Sequence, residues 1–194
     1  MIKINVLGVK EGVGKSTVAL SLARGLSSKG TTLLVDKTPS CGLWRKLGRQ
    51  DDFWCEDKLC VLKLFKRPFR IGENDLKEAL ENLENVYRNG WDFVVIDNFS
   101  CATQENHLVK VDAYALTVFV TDVPNIRSTL DYSMNFPNKY ALIVNMVPEG
   151  YRIPVELLGE FLFKITVPLI DTSDLSTFLK GIVEDITEIS SKFS

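Results

Sequence analysis

Gly8-Val9-Lys10-Glu11-Gly12-Val13-Gly14-Lys15-Ser16-Thr17 decides how this chain is read. A short β-rich apolar run over residues 2–9 leads into it. Behind it, residues 16–29 set Ala19, Leu20, Leu22, Ala23 and Leu26 on one broad helical face that stops at Gly30. The stretch therefore joins a strand to a helix N-terminus, where successive backbone N–H groups and the helix end attract an anion. Gly12 and Gly14 let the backbone approach phosphate oxygens with no Cβ in the way. Glu11, Gly12, Val13, Gly14, Lys15, Ser16 and Thr17 are the candidate phosphate-binding residues. Lys15 supplies a point charge to the β- and γ-phosphates, and the Ser16 hydroxyl is placed for Mg²⁺.

Outward from this loop the chain alternates strand and helix patterns. Strands are expected at residues 31–36, 59–65, 91–97, 113–121, 140–147 and 164–170. Asp75 is placed to cap a helix carrying Leu76, Leu80, Leu83 and Tyr87, with Glu78 as its capping-box partner, and a last helix starts at about residue 174. Phe93-Val94-Val95-Ile96 and Leu142-Ile143-Val144 are continuous apolar runs, as in strands covered on both faces. With right-handed crossovers this gives a three-layer α/β/α sandwich on a mostly parallel sheet, a phosphate-loop (P-loop) NTPase fold in one domain over residues 1–194. Residues 41–72 are the least regular segment.

Composition narrows the classes. Of 194 residues, 45% are hydrophobic and 25% charged, too apolar for a disordered chain. The longest apolar runs are far short of the ~20 residues that span a bilayer. The first residues lack the pattern of a secretory signal, so a cytoplasmic protein is expected. A net charge of −2 argues against a wholly basic nucleic-acid coat. Cys41, Cys55, Cys60 and Cys101 form no C-x-x-C pair, so free thiols are expected.

The strict pattern G-x-x-x-x-G-K-[ST] asks for glycine where Val9 stands. The variant K-G-G-x-G-K-[ST] fits instead, with Lys10 as the extra lysine and only Glu11 departing from it. In this the sequence resembles the ParA/MinD family of deviant phosphate-loop ATPases. Leu33-Leu34-Val35-Asp36-Lys37-Thr38-Pro39 resembles the family's second-strand D-x-D-P motif, and Trp91-Asp92-Phe93-Val94-Val95-Ile96-Asp97 its Walker B strand. Ala141-Leu142-Ile143-Val144-Asn145 and Val167-Pro168 resemble the two strands beside the base.

The resemblance implies ATP and Mg²⁺ as ligands and a homodimer with ATP between the subunits. Lys10 then reaches the partner's nucleotide, Asn145 and Pro168 meet adenine, and Ser16, Asp36 and Asp97 surround the metal. Lys10, Lys15, Asp36 and Thr38 form the implied catalytic set. An N-cap role at a strand exit is the plainer alternative for Asp97 and Asp36. Thr38 stands where the family has the aspartate that positions the attacking water, so slow hydrolysis is expected, with a dimer or a stimulating protein partner as its expected setting.

The family's processes are plasmid partition, DNA segregation and cellular positioning. A dethiobiotin-synthetase-like enzyme, and a nucleotide-binding regulator with little turnover, are the alternatives. Lys10 disfavours the first of these and Thr38 favours the second.

Residues 45–70 carry eight basic and four acidic side chains, so the segment stands out against an acidic remainder. Lys63, Lys66, Arg67 and Arg70, interleaved with Phe65 and Phe69, could meet non-specific DNA, although a solvated strand edge is the plainer reading. Glu184, Asp185 and Glu188 on the last helix's polar side disfavour a membrane anchor, so its apolar face is expected to pack on the protein's own core. An iron–sulfur cluster at Cys41 and Cys101 lacks a matching motif, and His107 reads as a surface residue.

Overall fold

The computed structural model describes residues 1–49, 51–66, 71–169 and 175–192. Eight strands form one sheet: β1 (Ile2–Leu7), β2 (Thr32–Asp36), β3 (Phe53–Glu56), β4 (Leu59–Lys63), β5 (Phe93–Asp97), β6 (Leu116–Thr121), β7 (Lys139–Val147) and β8 (Phe163–Pro168). Their spatial order is β3-β4-β2-β5-β1-β6-β7-β8. Every pairing is parallel except that of β3 with β4, a hairpin closing one edge. The helices are α1 (Lys15–Ser27), α2 (Gly42–Leu47), α3 (Glu73–Tyr87), α4 (His107–Lys110), α5 (Ile126–Ser133) and α6 (Leu175–Lys192).

Two apolar clusters flank the sheet. Ile4 and Val6 of β1, Val118 and Val120 of β6, and Ala141 and Ile143 of β7 belong to one. Leu7, Phe119, Leu142 and Val144 belong to the other. Successive residues alternate between the two cores, as period-two side chains on a twice-covered sheet must. The three-layer sandwich expected from the apolar runs is therefore present. α1 and α6 pack together over the first cluster, with Leu179, Ile182 and Ile186 buried. The apolar face of the last helix is spent on this core, and no helix among the described residues is long and apolar enough to cross a membrane.

Several boundaries and bonds differ from the sequence reading. α3 starts at Glu73 after Gly72, three residues before the position expected from an Asp75 cap. The Asp75 carboxylate instead accepts the Gly72 backbone N–H at 2.7 Å, the role of the third residue in a capping box. Glu78 faces Lys66 rather than the helix end. Residues 113–115 are a turn after α4, so β6 is shorter than expected. Residues 41–72 contain α2 and the hairpin. In that hairpin Cys55 and Cys60 sit opposite each other and form a disulfide, which corrects the expectation of four free thiols. Cys41 is buried and Cys101 exposed, both as free thiols. His107 is exposed at the start of α4, as expected. Residue 170, the expected end of β8, and residue 174 lie outside the described residues.

Candidate functional site

β1 lies between β5 and β6, and ligand crevices in open α/β sheets open at the carboxyl ends of such central strands. The loop of residues 8–14 leaves β1 there. A Cβ at Gly8 would stand 2.6 Å from the Val120 carbonyl oxygen, so only glycine can turn away from the sheet at that point. Gly14 has φ of +98°, and a Cβ on it would lie 2.3 Å from the Asn145 side-chain nitrogen. That nitrogen donates to the Val13 carbonyl at 2.9 Å, tying the end of β7 to the loop. Asn145 thus reaches the loop as well as the region beside it.

The loop walls a cavity of about 600 Å³, whose lining includes Glu11, Gly12, Gly14, Lys15, Ser16 and Thr17. Thr38, Asn145 and Pro168 line it too, joined by Met146, which holds a positive φ of 56° where the β7–β8 register shifts. Val13 is buried behind the loop. Most of the residues picked out in the sequence are therefore brought to one place.

Beneath the loop lie the two carboxylates. Asp36 and Asp97 end β2 and β5 and stand directly opposite each other in the ladder. Both are fully buried. The amide and hydroxyl of Thr38 donate to Asp36 Oδ1 at 2.9 and 2.5 Å. Asp36 Oδ2 and both oxygens of Asp97 are buried without a well-formed hydrogen bond, although the Ser16 hydroxyl approaches Asp97 and the Leu43 and Trp44 amides approach Asp36. Burial, then the Asp36 charge, pushes the Asp97 carboxyl up to about 7, with Ser16, Lys15 and Lys46 pulling the other way. Burial likewise raises Asp36, against the donors of Thr38. Buried carboxylate oxygens are costly unless a cation or well-placed donors reach them. Their strand-end placement fits Mg²⁺, with Ser16 alongside.

Lys15 is buried and donates to the Lys10 carbonyl and the Ser100 hydroxyl, both at 2.8 Å. Burial lowers its pKa, and Asp97 opposes that shift. Lys10 is half exposed and lies 3.4 Å from Asp122. Glu11 is exposed, and among the described residues it forms no ion pair. It lines the cavity, and its charge is one of those that favour the Lys15 ammonium.

Residues the sequence reading missed come from α2. Arg45 and Lys46 line the same cavity, although the sequence placed them in a basic run with Lys63 and Lys66. The last two are engaged elsewhere, Lys63 with Asp52 at 2.6 Å and Lys66 with Glu78. Arg67 and Arg70, the other members of the expected DNA patch, lie outside the described residues.

The sequence matches no protein-family model and no curated protein. Solved structures do match it. A plasmid partition protein from Borrelia burgdorferi bound to AMPPNP aligns with a TM-score of 0.61 at 18% identity, over 100% of this chain and 99% of that one. The septum site-determining protein MinD from Pyrococcus horikoshii, complexed with Mg-ADP, gives 0.64 at 16%, over 100% and 96%. A McdA variant from Cyanothece in complex with ATP gives 0.62 at 13%, over 99% and 95%. The chain has the fold of the plasmid partition proteins, MinD and McdA, the family that its phosphate-loop stretch resembles.

Proposed function

We propose that residues 1–194 form a single ATP-binding domain of the ParA/MinD kind, a switch that dimerises on Mg²⁺–ATP and hydrolyses it slowly. The observation that carries this reading is the pair of buried carboxylates, Asp36 and Asp97, opposite each other at the ends of β2 and β5, with Ser16 of the phosphate loop against Asp97 and a cavity of about 600 Å³ walled by that loop. Ser16, Asp36 and Asp97 would hold Mg²⁺, which supplies neutralisation of phosphate charge in phosphoryl transfer. The backbone of residues 11–17 binds phosphates, and Lys15 leaves the Lys10 carbonyl and Ser100 to meet them. Asn145, Met146 and Pro168 enclose the base end of the cavity.

Lys10 is set apart from this work. Its ammonium sits on the surface with only a 3.4 Å contact to Asp122, which in water contributes under about 1 kcal/mol. It is free to cross to a second copy's nucleotide. The test is size-exclusion of wild type and Lys10→Ala with and without Mg²⁺–ATP, alongside a nucleotide titration. Wild type is expected to shift to a dimer with Mg²⁺–ATP, while Lys10→Ala binds nucleotide and stays monomeric. A wild type that binds no nucleoside triphosphate rejects the reading altogether.

Slow turnover follows from Thr38. Its hydroxyl is committed to Asp36 and it carries no charge with which to orient water. Thr38→Asp is expected to raise single-turnover hydrolysis by at least about tenfold, since a positioned general base contributes roughly 10²–10⁴. The same change takes a donor from Asp36 and adds like charge, so the nucleotide-free protein should lose about 1–3 kcal/mol. No gain in rate would place the slow step elsewhere. The process served would be partition or positioning, with cytoplasmic location and a stimulating protein as parts of the same reading. Non-specific DNA contact through Lys63, Lys66, Arg67 and Arg70 gains little support, because Lys63 and Lys66 already face carboxylates.

A further inference from the structure

We infer that Lys46, with Arg45 beside it, is a phosphate-binding residue: α2 carries two cations of this chain into the nucleotide's phosphate end. The inference rests on the nucleotide reading above and adds to it a group outside the phosphate loop.

The placement begins with the rooting of α2. Leu43 and Trp44 are buried, and the Gly42 amide donates to the Thr38 hydroxyl at 3.3 Å. Cys41, just before the helix, takes a left-handed conformation with φ of 49°, and its thiol reaches the Phe65 carbonyl at 3.4 Å. These contacts fix a helix of only six residues, too short to hold itself together in water. With Leu43 and Trp44 turned inward, Arg45 and Lys46 are left on the side that lines the cavity.

The Lys46 ammonium donates to the Thr17 hydroxyl at 2.6 Å. Thr17 directly follows Ser16, so this ammonium stands over the first turn of α1, where phosphate oxygens would sit. It also acts on the buried carboxylate site, being one of the charges that lower Asp97. A neutral hydroxyl is a poor match for a compact, strongly hydrated ammonium, and an ionised oxygen forms roughly twice as strong a bond.

Charge balance points the same way. Among the described residues neither Arg45 nor Lys46 has a carboxylate within ion-pair distance, whereas Lys63 and Lys66 from the same basic segment are both paired. The charged residues lining the cavity are Lys15, Arg45 and Lys46 against Glu11 alone. Thr38 brings no negative charge to that wall. Unpaired cations converging on a cavity are complementary to a polyanion. A linear phosphate chain is what the adjoining loop is built to receive.

Calorimetric titration with Mg²⁺–ATP and with inorganic tripolyphosphate tests this, the second probe lacking a base. Lys46→Ala is expected to raise the Kd of both by about tenfold, equivalent to about 1.4 kcal/mol. Lys46→Arg should stay within about threefold of wild type, because it keeps the charge. Lys46→Ala binding both probes within twofold of wild type overturns the assignment alone. Wild type binding neither probe overturns the nucleotide reading and this assignment together. Should Lys46→Ala melt lower than wild type, Lys46→Gln decides on the same thresholds, since it keeps the stem and removes only the charge.

Discussion

Asp112→Ala is expected to cost about 3–5 kcal/mol of folding stability, because it strands a buried charge. Asp112 follows α4 and is 3% exposed. Its two oxygens take the Lys3 ammonium at 2.7 Å and the Lys37 ammonium at 2.6 Å, and the Tyr87 hydroxyl donates to it at 3.1 Å. Lys37 has no exposed surface and also donates to the Leu108 carbonyl. Burial lowers the Lys37 pKa, and Asp112 is the main influence raising it. Removing the carboxylate leaves an ammonium in the core with one carbonyl for company.

The loss is a large share of the roughly 5–15 kcal/mol that holds a domain together. It should appear as a lower urea midpoint at unchanged slope. In the variant, a Lys37 that binds fewer protons folded than unfolded makes stability rise with pH, so the deficit shrinks in alkaline buffer. Asp112→Leu combined with Lys37→Met should recover much of the loss, since an apolar replacement of a buried pair is often neutral. An alanine variant within 1 kcal/mol of wild type would mean that water reaches Lys37. The consequence for the site is direct. Lys37 sits between Asp36 and Thr38, while Leu108 and Asp112 belong to the segment that follows β5. This ion pair holds the exits of both carboxylate strands to one another.

Little of that network could be read in one dimension. Nothing in Asp36-Lys37-Thr38 says that the lysine turns inward to meet a carboxylate 75 residues away. The phosphate loop was legible because its glycines and Gly14-Lys15-Ser16 fall where the apolar period changes from strand to helix. Asp36 and Asp97 were legible because a carboxylate closing an apolar strand needs a reason. Their burial and ladder register are tertiary facts. α2 escaped notice since its order comes from Leu43, Trp44 and the Thr38 hydroxyl rather than from periodicity. β3 escaped because an edge strand of four residues, mostly exposed, has no alternation to detect. The Asp75 misplacement shows a capping box read at the wrong offset: the acid was there, three residues into the helix.

Asp97→Asn is expected to stabilise the nucleotide-free protein at neutral pH and to abolish its stabilisation by Mg²⁺–ATP. The Asp97 carboxyl lies at about 7 in the fold against an ordinary 3.8, chiefly through burial and then through the Asp36 charge. Between those two pH values the folded chain holds a proton that the unfolded chain has released. Stability therefore falls as pH rises through the window from about 4 to 7, at about 1.4 kcal/mol per pH unit and so roughly 4 kcal/mol in all. Asparagine never ionises, and it removes the like charge that faces Asp36. The variant should lose most of this slope and melt above wild type at pH 7.5. Wild type should gain on adding Mg²⁺–ATP, by about 2.7 kcal/mol at a hundredfold excess over Kd. The variant should gain little, having lost one of the carboxylates assigned to Mg²⁺. Thermal melts at pH 5 and 7.5, with and without Mg²⁺–ATP, give both comparisons. A variant less stable than wild type at pH 7.5 without nucleotide would mean that the Asp97 charge is already compensated inside the fold, and that no cation is needed to offset it.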